Sequence, residues 1–203
     1  MDFHVDLAGL EPPEILDAIA SRFEDVGNFV RAAEYWEAAI RLSPSESLYF
    51  YRLGKLYLNC GEFDKASQRL EEACALVPDH VVSRFLLAKA LSCAKDYSKA
   101  SKQLEAVLSA QPHHPAGINL KLSLLVLQGR FSEALKWANA NKCTDVPRNK
   151  LALLYAKAAL GQAESHKVTD RFVRTRLESI WKHPKDSLEH LEALSKALLH
   201  IRR

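Results

Sequence analysis

Residues 47–80 read SLYFYRLGKLYLNCGEFDKASQRLEEACALVPDH, and this stretch decides the fold. Leu53, Leu56 and Tyr57, then Leu70, Ala73 and Cys74, recur at intervals of three and four, the period of a helix with one apolar face. Gly61 lies between the two groups, where a helix stops and the chain turns. Pro78 follows the second group, in a connection where a missing N–H costs little. The segment therefore predicts helix, tight turn, helix and break. Period-two alternation of β-branched residues, the mark of a strand, is absent.

The same punctuation spreads outward in both directions. Pro44, Pro78 and Pro112 are spaced by 34, and Pro147 follows 35 later. Gly27, Gly61 and Gly129 are in phase, with Lys95 in the remaining slot. Two positions on come Phe29, Phe63, Tyr97 and Phe131, then Ala32, Ala66, Ala100 and Ala134, then Trp36, Leu70, Leu104 and Ala138. A fixed period of this length marks stacked repeats. The alanines have a steric reason: antiparallel helices approach closely only where a side chain is small, with a bulky neighbour filling the flank.

These blocks resemble the tetratricopeptide repeat, a helix–turn–helix unit with this same period. Residues 47–80 carry the pattern best, at Phe50, Leu53, Gly54, Tyr57, Gly61, Phe63, Ala66, Leu70, Ala73 and Pro78. Four repeats are framed at 13–46, 47–80, 81–114 and 115–148, after an N-terminal segment 1–12. The fourth departs most, with Asn141 in place of the second small residue and its proline one position late. The resemblance implies an all-α fold, a right-handed α–α superhelix of stacked helix pairs with a concave groove. Each pair buries its core against its neighbours, so the ends need covers. Residues 149–203 are expected to supply one. Lys150–Leu160 reads as a helix, Val168, Phe172, Leu177, Ile180 and Trp181 as a second stripe, and together they form a degenerate fifth repeat. Asp186 with Glu189 opens a capping helix with Leu188, Leu191, Leu194, Leu198 and Ile201 on one face.

The resemblance also places a groove. In tetratricopeptide proteins the second, fifth, sixth and ninth residues of each first helix point into it. Here these are Glu14, Asp17, Ala18 and Ser21; Leu48, Tyr51, Arg52 and Lys55; Val82, Phe85, Leu86 and Lys89; and Ala116, Asn119, Leu120 and Ser123. The expected partner-binding residues are Leu48, Tyr51, Arg52, Lys55, Phe85, Leu86, Lys89, Asn119 and Leu120. Aromatics and Arg among aliphatics suit a polypeptide segment with apolar anchors. One subfamily clamps the terminal carboxylate of heat-shock chaperones with Lys and Asn at set positions. Those positions hold Asp17, Ser21, Arg52, Val82 and Leu86, which argues against that role.

Other chemistries find no support in the residues. The eight His are scattered, and His113–His114 reads as a loop pair rather than metal ligands. Cys60, Cys74, Cys93 and Cys143 form no CxxC and read as reduced thiols buried in a helical core, Cys60 and Cys74 on facing helices of one repeat. No phosphate-cradling glycine loop or nucleophile elbow occurs. The expectation is a non-enzyme without catalytic residues, metal, cofactor or small-molecule substrate. No apolar run is long enough to cross a membrane, and Met1–Asp6 lacks a secretory start, so a cytoplasmic protein is expected.

Charge is uneven: residues 1–46 balance to −7, residues 47–164 to +6 and residues 165–203 to +4. Such asymmetry can steer a partner or a second copy of the chain. The function read from all this is a protein-interaction adaptor. Two narrower alternatives stand beside it. One is a cytoplasmic chaperone of the bacterial type III secretion kind, which the size and apolar groove resemble. The other is a nucleic-acid-associated regulator using Arg171, Arg174, Arg176, Lys182 and Lys185, although nucleic acid is not the expected partner.

Overall fold

The computed structural model describes residues 12–142, together with Asn149 and Ala156. Eight helices run through them: α1 Pro12–Asp25, α2 Phe29–Leu42, α3 Ser47–Cys60, α4 Phe63–Leu76, α5 Val81–Cys93, α6 Tyr97–Ala110, α7 Pro115–Leu127 and α8 Phe131–Ala140. Among the described residues there is no strand. The in-phase aromatics Phe29, Phe63, Tyr97 and Phe131 are the first residues of α2, α4, α6 and α8.

Each turn within a pair is made where expected. Gly27, Gly61 and Gly129 take the left-handed conformation, with φ of 78°, 81° and 76°. After α3 the Gly61 amide donates to the Leu58 carbonyl and the Glu62 amide to that of Tyr57, which satisfies the last helical acceptors. Lys95 adopts the same conformation at φ 68° with a side chain that disfavours it. The helices that follow are capped by what is at hand. Asn28 and Asp96 side chains accept from the amides of Arg31 and Lys99. His114 Nδ1 accepts from the Gly117 amide at 2.9 Å, so half of the histidine pair is a helix cap.

The helices divide into two compact units, one ending at Ala94 and the other beginning at Lys95. In the first, α1 packs on α2, α2 on α3, α3 on α4, and α5 on both α4 and α3. In the second, α6 packs on α7 and α7 on α8. The predicted small positions lie in the core: Ala32, Ala66, Ala100 and Ala134 are fully buried. The large residues four further on, Trp36, Leu70 and Leu104, are buried beside them. Each such side chain contributes about 1.5–3 kcal/mol on burial. Gly54 has a packing reason, since a Cβ there would sit 2.7 Å from Leu70 Cγ.

Two expectations about the packing need correction or completion. The thiols are not uniformly buried: Cys60 is exposed and Cys74 and Cys93 are half-buried, and none of the three is in a disulfide. Cys60 is the last residue of α3, where the chain already leaves the core for the turn. The fourth pair is short at its end, as its departure from the pattern suggests. Asn141 is the C-cap of α8, and its Nδ2 donates back to the Trp137 carbonyl at 2.9 Å. The segment 149–203, where a degenerate fifth repeat and a capping helix are expected, falls outside the described residues except for Asn149 and Ala156. Both are helical and buried, and they lie one further period beyond Pro115 and Leu122.

Candidate functional site

In the first unit, α1, α3 and α5 are the first helices of their pairs, and the expected groove positions of α3 and α5 correspond one to one at the 34-residue period. Leu48 and Val82 lie at the N-terminal end of the two helices and are 41% and 46% exposed, high for aliphatic side chains. One turn on, Tyr51 and Phe85 are half-buried, as are Arg52 and Leu86 beside them. A further turn on, Lys55 and Lys89 are exposed, and neither has a hydrogen-bond or ion partner among the described residues. None of these eight is core. The face passes from aliphatic through aromatic to cationic.

The aromatic row is held from the side. The Tyr51 ring meets the His80 ring edge-on, with centroids 5.6 Å apart. His80 is the N-cap of α5, and its Nδ1 lies 2.6 Å from the Ser83 hydroxyl. This contact ties the middle of α3 to the start of α5 and limits the swing of Tyr51.

Arg52 differs from the free cation that its position suggests. Its Nε lies 3.0 Å from Asp17 Oδ1, and its Nη1 donates to the Ser21 hydroxyl at 3.0 Å. Asp17 also accepts from the indole N–H of Trp36 at 2.8 Å, and Trp36 has no exposed surface. One carboxylate thus satisfies a buried donor and neutralises the guanidinium across α1 and α3. The Tyr49 hydroxyl is pushed up by burial first and then by the charges of Asp17, Glu46 and Glu14. The free positive charge of this face therefore resides on Lys55 and Lys89.

On α7, in the second unit, Asn119 and Leu120 are half-buried. Asn119 Oδ1 accepts from Asn149 Nδ2 at 2.8 Å, so its side-chain carbonyl is engaged by the residue that follows the fourth repeat. Sequence reasoning left His80 and Val82 out of the expected set. Val82 stands at a groove position, whereas His80 lies outside the helical frame and announces itself only through its ring contact.

A second tyrosine shows how the repeat core is lined with charge. The Tyr57 hydroxyl donates to Glu37 Oε1 at 3.1 Å, and Lys65 Nζ sits 5.6 Å from the ring centroid. Its phenol is pushed up to about 12, by burial first and then by the Glu37 carboxylate. The folded state therefore holds this proton more tightly than an unfolded chain, in which a phenol titrates near ~10. The stability contributed by the neutral phenol is fully present below that value and is lost as pH rises from about 10 to about 12. Melting curves of wild type and Tyr57→Phe are expected to converge across this window. A gap that stays constant with pH would contradict the assignment.

The model of the tetratricopeptide repeat family matches residues 18–81 and 85–141, more than half of the chain. The chain belongs to this family. Its likeness to solved tetratricopeptide structures extends over most of its length. MamA residues 41 to the end from Desulfovibrio magneticus RS-1 gives a TM-score of 0.70 at 17% identity, covering 85% of this chain and 97% of that one. YrrB, described as a tetratricopeptide protein with an unusual peptide-binding site, gives 0.66 at 15% identity over 89% of this chain and 90% of that one. The first such domain of Spaghetti (RPAP3), bound to the HSP90 peptide SRMEEVD, gives 0.52 at 17% identity over 68% and 98%. At these identities the likeness shows the fold, an α–α solenoid of helix–turn–helix repeats. No curated protein sequence matches the chain. Among the described residues no helix is long and apolar enough to cross a membrane, and no three His, Cys, Asp or Glu gather as metal ligands.

Proposed function

We propose that this tetratricopeptide protein is a non-catalytic adaptor of the cytoplasm that holds a polypeptide segment against the face of α1, α3 and α5. The observation that carries the reading is the set of matched positions: exposed Leu48 and Val82, half-buried Tyr51 and Phe85, and Lys55 and Lys89, unpartnered among the described residues. Aromatic anchors flanked by aliphatic surface suit the side chains of an extended or helical segment. The lysine row favours acidic residues along one edge of that segment. That YrrB has a peptide-binding site and the RPAP3 domain holds an HSP90 peptide supports the choice of a polypeptide as ligand.

A chaperone C-terminal carboxylate is a poor match. Arg52 is already paired with Asp17, and Val82 and Leu86 offer that carboxylate no donor. Asn119 and Leu120, on α7 of the second unit, are proposed as a separate and smaller contact, with Asn119 already engaged by Asn149.

Site-specific photo-crosslinking tests the reading. A photoreactive side chain in place of Tyr51 or Phe85 is expected to trap a polypeptide in native extract. The same side chain in place of exposed Gln68 on α4 should trap little. Crosslinks from position 68 with none from 51 or 85 would place the interaction elsewhere.

A further inference from the structure

The second unit contains a crevice of about 380 Å³ between α6, α7 and α8. Its floor is Leu104, Leu124 and Leu125, all buried, and its wall includes Glu105, Arg130, Glu133 and Trp137. The volume is that of a site for a small ligand or a large side chain. The repeat explains why the space is there.

Counting back two repeats from Leu125 reaches Tyr57. Tyr57 packs on the cluster that includes Trp36 and Leu56, donates to Glu37, and lies near the charges of Lys65, Arg69 and Glu62. Moved on by two repeats, these six become, in the same order, Leu104, Leu124, Glu105, Glu133, Trp137 and Arg130. All six line the crevice. The second unit thus keeps two of these surroundings, the leucine and the acceptor glutamate, exchanges the other four, and carries a leucine where the phenol would be.

One carboxylate at the opening fits that origin. Glu105, the counterpart of the acceptor Glu37, has no hydrogen bond or ion pair to its carboxylate among the described residues. Arg130, which also lines the crevice, is engaged by Glu133 through bonds of 2.8 and 2.6 Å. Lys121 Nζ lies over the Trp137 ring at 4.5 Å from its centroid.

We propose that this crevice is a socket for a tyrosine side chain presented by a partner polypeptide, its hydroxyl donating to Glu105 as that of Tyr57 donates to Glu37. The site is separate from the face of α1, α3 and α5 and does not depend on that face binding anything. Ring burial between Leu104, Leu124 and Trp137 supplies the attraction, and the carboxylate supplies the preference for tyrosine over phenylalanine.

The test uses the full chain and N-acetyl-L-tyrosinamide as probe, with the Trp137 indole N–H resonance as readout, assigned through Trp137→Phe. A saturable shift is expected, with N-acetyl-L-phenylalaninamide binding about fivefold more weakly for want of one hydrogen bond. Leu125→Tyr should fill the socket, abolish the shift and raise the melting temperature. Glu105→Ala, at an exposed position, should keep the fold and erase the preference between the two probes. No saturable shift, equal binding of both probes to the wild type, or unchanged binding by Leu125→Tyr would each overturn the proposal. So would a tyrosinamide preference that survives Glu105→Ala.

Discussion

Replacing Asp17 by Ala is expected to lower the stability of the first unit by about 2–3 kcal/mol, the largest effect of any single groove-side substitution. The carboxylate accepts from the indole N–H of Trp36, which is fully buried and has no water to turn to. An orphaned buried donor costs about 1–3 kcal/mol. The same carboxylate is the counter-ion of Arg52, whose side chain is 35% exposed, so this part of the loss is smaller and screened. For a chain of this length a fall of this size corresponds to a drop in melting temperature of roughly 4–12 °C. Thermal melts by circular dichroism measure it directly. The cause is checked in a Trp36→Phe background, where the donor is gone and Asp17→Ala should cost distinctly less. Equal costs in both backgrounds would mean that the Trp36–Asp17 bond is not the reason. Asp17→Ala also releases Arg52, turning a neutralised pair into a free cation on the face.

This pair marks the limit of what the sequence discloses. Helix starts at Phe29, Phe63, Tyr97 and Phe131, turns at the glycines and Lys95, and the buried alanines were all legible, because each follows from a local rule repeated at a fixed interval. A turn needs a left-handed residue, and a close helix approach needs a small one. The bonds among Asp17, Trp36 and Arg52 obey no such rule. They join side chains on three different helices, and their types do not recur in the other repeats. Arg52 therefore read as a free groove cation when its charge is already matched. The exposure of Cys60 was missed for a related reason: its spacing is helical, but it stands on the last turn of α3, beyond the core.

The rows on α3 and α5 were legible as positions but not as surface. That Tyr51 and Phe85 stop at half-burial, while Leu48 and Val82 remain open, depends on how closely the neighbouring first helices approach. The crevice of the second unit was legible in principle, since Leu125 departs from Tyr57 in a position the period aligns. Only the structure shows that the departure leaves a space rather than a tighter core.

The central claim is that the face of α1, α3 and α5 binds a polypeptide through its aromatic row. The double variant Tyr51→Ala with Phe85→Ala addresses it most directly, by measuring affinity for the polypeptide trapped at this face alongside the melting temperature of the chain. Each truncated anchor removes about 2 kcal/mol if it is a hot spot, and together about 3–4 kcal/mol once non-additivity is allowed for. That is a loss of roughly 200- to 1,000-fold in Kd. Because both side chains are only half-buried and neither is among the buried residues of the core, the melting temperature should move far less than for Asp17→Ala. A large loss of affinity with a near-native melt is the predicted result. A variant that binds as tightly as the wild type yet melts much lower would contradict the account, for Tyr51 and Phe85 would then serve the fold and not the partner.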